Sequence, residues 1–244
     1  MLNSLLTCDI LTLISHNLTK GEMIFMFNFR VHQELTCMAE GEGQFFARAG
    51  AMIASQGSFT AEKVLLDPNE NRSILGSFVN LAARKLTGEN IHIMKVTGNG
   101  KYYMANKSQH ISVIRLNQGQ SISVEGENLL AFTGQCKYGV RFIGSGVISQ
   151  KGMFTSKLTG QGPNAEVAIT TEGNPLILET PCTVDPDAVV CWTGSDPTFK
   201  TDVSWKTLIG QTSGESYSLE FNSYGETVIV QPYERVSGLN IAID

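Results

Sequence analysis

Two apolar-rich runs flank Thr97-Gly98-Asn99-Gly100 within KLTGENIHIMKVTGNGKYYMAN, residues 85–106. Glycine adopts positive φ without a Cβ penalty, and Asn-Gly favours tight turns, so the stretch predicts a β-hairpin. The same kind of unit recurs twice. FTSKLTGQGPNAEVAI carries Gly160 and Gly162, and YSLEFNSYGETVIVQ carries Gly225 alone. Ahead of each unit stands an apolar strand that ends at glycine: FFARAG (45–50), LLAFTG (129–134) and VVCWTG (189–194). Three such pairs in one order constrain the chain to a repeated β-architecture. The reading is all-β, with modules at 24–107, 108–180 and 181–237. Units this short bury little apolar surface alone, so they pack as one compact domain over 23–237, followed by a tail at 238–244.

The chain in order supports this. Strands are expected over FNFRVHQ and LTCMAE from Phe27, with a turn at Glu40–Gly43, then Gln44–Ala49 and Ala51–Ser55. The long gap in the first module holds a helical insertion, Asp67–Leu86. Ile74, Leu75, Phe78, Val79, Leu81, Ala82 and Leu86 recur there at helical spacing, Asp67-Pro68-Asn69 opens it, and Gly88 fits its stop. Beyond Asn106 short strands follow at regular spacing: His110–Leu116, Ile122–Val124, Asn128–Thr133, Gly139–Ile143, Val147–Ser149, Met153–Leu158, Ala165–Thr170 and Pro175–Glu179. The last part holds Ala188–Trp192, Val203–Ile209, Ser216–Phe221 and Glu226–Gln231. That pattern indicates a sandwich, barrel or β-helix.

Residues 1–22 differ. Leu2, Leu5, Leu6, Ile10, Leu13 and Ile14 fall near one helical face, which predicts a short docked helix. A membrane-surface anchor is the second reading. The segment lacks a basic n-region and a small-residue cleavage site, and it is too short and polar to span a bilayer. A third reading places the natural start at Met23 or Met26, since Lys20-Gly21-Glu22 is what a translated ribosome-binding sequence yields.

With the repeat in view, the segments GEGQFFARAGAMIAS, LTGENIHIMKVTGNGKYYMA, LLAFTG, GMFTSKLTGQGPNAEVAI and TSGESYSLEF resemble the altered-inheritance-of-mitochondria family over about residues 24–235. The resemblance implies three short double-stranded β-helix modules like that of the tryptophan RNA-binding attenuation protein, in a pseudo-threefold arrangement, and a superfamily whose members oligomerise. The third module departs from the pattern, with Gly225 standing where the family has two spaced glycines. The family supplies no catalytic residues, and neither RNA nor tryptophan binding follows from a fold alone.

Chemistry is sparse. His16, His32, His92 and His110 pair at neither i,i+2 nor i,i+4, so zincin and cupin metal patterns are absent. Gly98–Lys101 and Gly160–Gly162 lie between strands rather than opening a helix, unlike phosphate loops. Gly144-Ser145-Gly146 is no nucleophile elbow. Glu89 and Glu215, at matched glycines, read as turn or solvated acids. Tyr102, Tyr103, Phe132, Trp192 and Trp205 read as core. The cysteines Cys8, Cys37, Cys136, Cys182 and Cys191 form no CxxC and read as reduced, mostly buried thiols. A net charge of −5 argues against a nucleic-acid footprint.

These readings define a cytoplasmic, non-enzymatic β-module protein that acts by assembly or partner binding. No catalytic, cofactor or metal site is assigned. The expected partners are further copies of the chain and an unidentified protein, with neither nucleic acid nor a membrane surface. The alternative is a small-molecule-binding or enzymatic cupin-like β-barrel, with His92 or His110 lining a polar pocket.

Overall fold

A computed structural model describes residues 26–64, 92–143, 153–201 and 217–233. The expected helices at 2–14 and 67–86 lie outside these residues. So do the expected strands at 147–149 and 203–209, together with His16, Glu89, Trp205 and Glu215.

The described residues form strands β1 (Asn28–His32), β2 (Thr36–Arg48), β3 (Met52–Val64), β4 (Ile93–Met104), β5 (His110–Leu116), β6 (Ser121–Glu125), β7 (Leu129–Thr133) and β8 (Cys136–Ile143). Then come β9 (Met153–Gly160), β10 (Ala165–Thr171), β11 (Leu176–Glu179), β12 (Cys182–Val184), β13 (Val189–Thr193), β14 (Thr198–Thr201), β15 (Tyr217–Phe221) and β16 (Thr227–Val230). A 3-10 turn, Gly126–Asn128, stands between β6 and β7. The strands are rich in β-branched and aromatic residues, which fit a pleated surface packed against neighbours.

Among the described residues all ladders are antiparallel, and they make three sheets. The first runs β3-β4-β2-β7-β10-β5, with β1 added on β2. The second runs β11-β16-β13-β6-β9-β8, and the third is only β12-β15-β14. β7 and β10 are buried at every residue, as interior strands covered on both faces. β3 is the opposite case: it forms one edge of the first sheet and is exposed at almost every residue.

The hairpin expected at Gly98–Gly100 is corrected. β4 passes through both glycines unbroken, and β2 likewise runs through the expected turn at Glu40–Gly43. In the ladder Gly41 faces Gly100, Gly43 faces Gly98, and Gly57 of β3 also faces Gly100. A glycine seam therefore crosses three neighbouring strands. Gly41, Gly43, Gly57 and Gly100 have φ of 148°, 113°, 127° and 116°, values that L side chains rarely adopt. A Cβ at Gly57 would meet the Asn99 carbonyl, and one at Gly100 the Gln56 carbonyl, both well inside contact distance. Glycine here lets three strands bend together at close approach; it does not reverse the chain. β3 consequently extends through Gly57 to Val64 rather than stopping at Ser55.

The other two expected strand pairs are corrected as well. β9 and β10 flank Gly160–Gly162 as expected, but β9 pairs with β6 and β8 while β10 pairs with β5 and β7. β15 and β16, on either side of Gly225, also lie in different sheets. Each glycine segment is a corner between sheets.

Three apolar clusters fill the interior. Phe27, Phe29, Phe45, Tyr102 and Met104 form one with Leu130 and Ile111. Phe46, Phe132, Tyr138, Leu158 and Val167 form the second; its rings stack with centroids 5.0 Å apart for Phe46–Phe132 and 5.3 Å for Phe132–Tyr138. Trp192, Leu219, Phe221, Val184 and Ile143 form the third.

Candidate functional site

The expected aromatic residues within the described regions are placed as follows. Tyr102, Phe132 and Trp192 are buried core, and Tyr103 is half-buried with its ring 5.8 Å from that of His32. The three described histidines do not converge. His32 ends β1 and His110 opens β5, while His92 precedes β4, where its carbonyl accepts the Ala49 N–H. Among the described residues no group of three His, Cys, Asp or Glu could hold a metal ion. Cys37, Cys136, Cys182 and Cys191 are reduced thiols. Burial pushes the Cys37 thiol up to about 12, with the nearby Glu166 carboxylate adding to it, and burial pushes Cys136 up to about 11. Such thiols are poor nucleophiles, because the thiolate is the reactive form.

Two polar arrangements were not anticipated. Glu166, on the fully buried β10, is only 1% exposed. Its carboxylate accepts the Phe29 N–H at 2.5 Å and the Arg115 Nε–H at 2.9 Å. It thereby ties β1 to β10 and β5 at one end of the first sheet. Its own N–H donates to Thr133 Oγ1 at 3.0 Å. An acid in the otherwise apolar run AEVAI was the available signal. The second arrangement is a polar chain. Asn106 donates to Gln109, Gln109 to Glu172, and both the Glu172 N–H and the Asn128 side chain donate to Gln231 Oε1. It ends beside a shallow, open cleft of about 590 Å³ lined by Asp185, Ala188, Gln231, Pro232 and Tyr233. Its lining carries one carboxylate, Asp185, one phenol, Tyr233, and one amide, Gln231.

The feature that remains is backbone. Among the described residues one edge of the 13-residue β3 has no partner strand, with Met52 50% and Ile53 57% exposed. β11 closes one end of the second sheet with Leu176 and Ile177 exposed. Among the described residues β12 also has one open edge. Long open edges template further pairing unless they are blunted, and β3 carries only Glu62 and Lys63 as charges.

The described residues thus make an all-β fold of three antiparallel sheets. The chain belongs to the mitochondrial biogenesis AIM24 family, whose model matches residues 25–233. Among solved structures it is similar to protein SPYM3_0169 from Streptococcus pyogenes, with a TM-score of 0.60 at 18% identity, covering 86% of this chain and 94% of that one. At that identity the likeness speaks for the fold alone. No curated protein matches the chain.

Proposed function

We propose that the chain is three copies of one bent, three-stranded unit and that it works without catalysis, as an assembling scaffold that binds through open sheet edges. The observation that carries the reading is the wiring of the strands. β10 pairs with β5 and β7, and β16 pairs with β11 and β13; β9 pairs with β6 and β8, and β15 pairs with β12 and β14. Strands β5–β10 and β11–β16 therefore follow one plan. The first unit follows it too if each long strand is two shorter ones fused. β2 then corresponds to β5 plus β6, β3 to β7 plus β8, and β4 to β9 plus β10. On this plan the counterpart of Gly134 and Gly194 is Gly57 rather than Gly50.

The corners support the same correspondence. In the first unit the ladder itself crosses the seam at Gly41, Gly57 and Gly100. In the second, Gly119 N–H donates to the Gly160 carbonyl at 2.8 Å and Gln161 N–H to the Gln135 carbonyl at 2.9 Å. In the third, Thr180 N–H donates to the Glu226 carbonyl at 3.0 Å, and Thr193 Oγ1 donates to Glu226 Oε2 at 2.7 Å. A threonine ahead of the corner glycine accepts a backbone N–H in both later units, Glu166 on Thr133 and Thr227 on Thr193, each at 3.0 Å.

A scaffold of this kind predicts an assembly of several chains in solution. Light scattering on the full chain tests it: a molar mass at a multiple of 26.6 kDa is expected. A mass of 26.6 kDa at every concentration up to hundreds of micromolar would contradict the reading.

A further inference from the structure

The repeated plan has one vacancy, and the inference drawn from it rests on the scaffold reading above. In the first sheet the triple β3-β4-β2 receives the triple β7-β10-β5 of the following unit, through β2 and β7. In the second sheet β8-β9-β6 receives β13-β16-β11 in the same way, through β6 and β13. The third sheet is β14-β15-β12 alone. Among the described residues nothing pairs on the open edge of β12, the counterpart of the edge by which β6 holds β13. The strand segment that would fit there is the counterpart of β7 and β13 in the first unit, Met52–Gly57 of β3. Its outer edge is likewise without a partner strand among the described residues, and its side chains are exposed.

We propose that the open edge of β12 takes Met52–Gly57 from a second copy of this chain, head to tail. The two occupied seams give the register. The residue ahead of the corner glycine, Thr133 or Thr193, faces Phe45 or Ile122. Each of those is the first inward residue after its own corner. Cys182 holds that place in β12, and Gln56 precedes Gly57, so Gln56 sits opposite Cys182 and Ser55 opposite Thr183. The donor is a second copy because Met52 and Ile53 stand exposed in the chain itself instead of being closed onto the third sheet. Head-to-tail contacts of this kind close into rings or grow as open chains.

Directly opposed strand residues lie within disulfide reach, so the native Cys182 supplies half of the test. Gln56→Cys is made in the full chain with Cys8→Ser, and the protein is oxidised and run on a non-reducing gel. Covalent dimers and higher multiples are expected, and they disappear when Cys182→Ser is added. Two results overturn the proposal: a disulfide formed within single chains, which places the seam inside one molecule, or no Gln56→Cys to Cys182 disulfide in a folded variant. If the molar mass still shows a multimer in either case, the scaffold reading survives and only this seam fails.

Discussion

Glu166 offers the sharpest energetic test of the fold, because its two partners differ in environment. The Phe29 amide is buried, whereas the Arg115 side chain is 82% exposed. The Arg115 guanidinium is solvated whether or not it pairs, so it adds about 1 kcal/mol at most. A buried N–H left without an acceptor costs about 1–3 kcal/mol. Removing the glutamate side chain also leaves a cavity, so Glu166→Ala should lose roughly 3–4 kcal/mol in all. Glu166→Gln should lose only about 1 kcal/mol, since the amide carbonyl can still accept from Phe29 while Arg115 swings into water. Arg115→Ala should lose no more than about 1 kcal/mol. For a chain of this size 1 kcal/mol moves the midpoint by roughly 2–4 °C, so thermal unfolding resolves the order. Amide exchange at Phe29 should accelerate in Glu166→Ala and stay slow in Arg115→Ala. An Arg115→Ala variant as damaged as Glu166→Ala would refute the argument, because the exposed ion pair and not the buried amide would then carry the energy. So would a Glu166→Ala variant that unfolds like the parent.

Other consequences are equally specific. Gly100→Ala should cost at least about 3 kcal/mol in thermal unfolding, since it combines a strained φ with a clash against the Gln56 carbonyl, whereas Gly139→Ala, with open space and no positive φ, should change stability by less than about 1 kcal/mol. The raised Cys37 thiol is protonated in the fold and ionises sooner once unfolded, so its contribution is complete below the ordinary value of 9.0 and is lost as pH rises towards about 12; chemical unfolding across that window should show stability falling. Native protein at pH 8 should incorporate iodoacetamide at the half-buried Cys182 far faster than at Cys37, Cys136 or Cys191, as read by peptide mass spectrometry.

Much of the β-pattern was legible because it rests on local rules. LLAFT, AEVAITT and VVCWT are apolar runs between turn residues, and they are the buried β7, β10 and β13. The meaning of the glycines was not legible. A positive φ serves a tight reversal and a bend shared by three strands equally well, and only the facing Gly57 and Gly41 show which applies at Gly100. The connection from β1 to β2 hides for the opposite reason: Gln33 and Glu34 take φ of 53° and 58° with no glycine to announce a turn. Strands as short as CTV and TFKT carry too few residues to show alternation, so β12 and β14 are defined by β15 between them. Glu166 reads as an ordinary strand acid until β5 is placed beside it and the Phe29 amide of β1 against its carboxylate.

The central claim is that two particular edges are where this protein meets its own copies, and backbone hydrogen exchange on the assembled full chain tests it most directly. The outward-facing amides of residues 52–57 and 182–184 should exchange as slowly as those in the β6–β13 seam. Exchange of the outward-facing amides at both edges at the rate of free backbone, in protein that light scattering finds assembled, would contradict it.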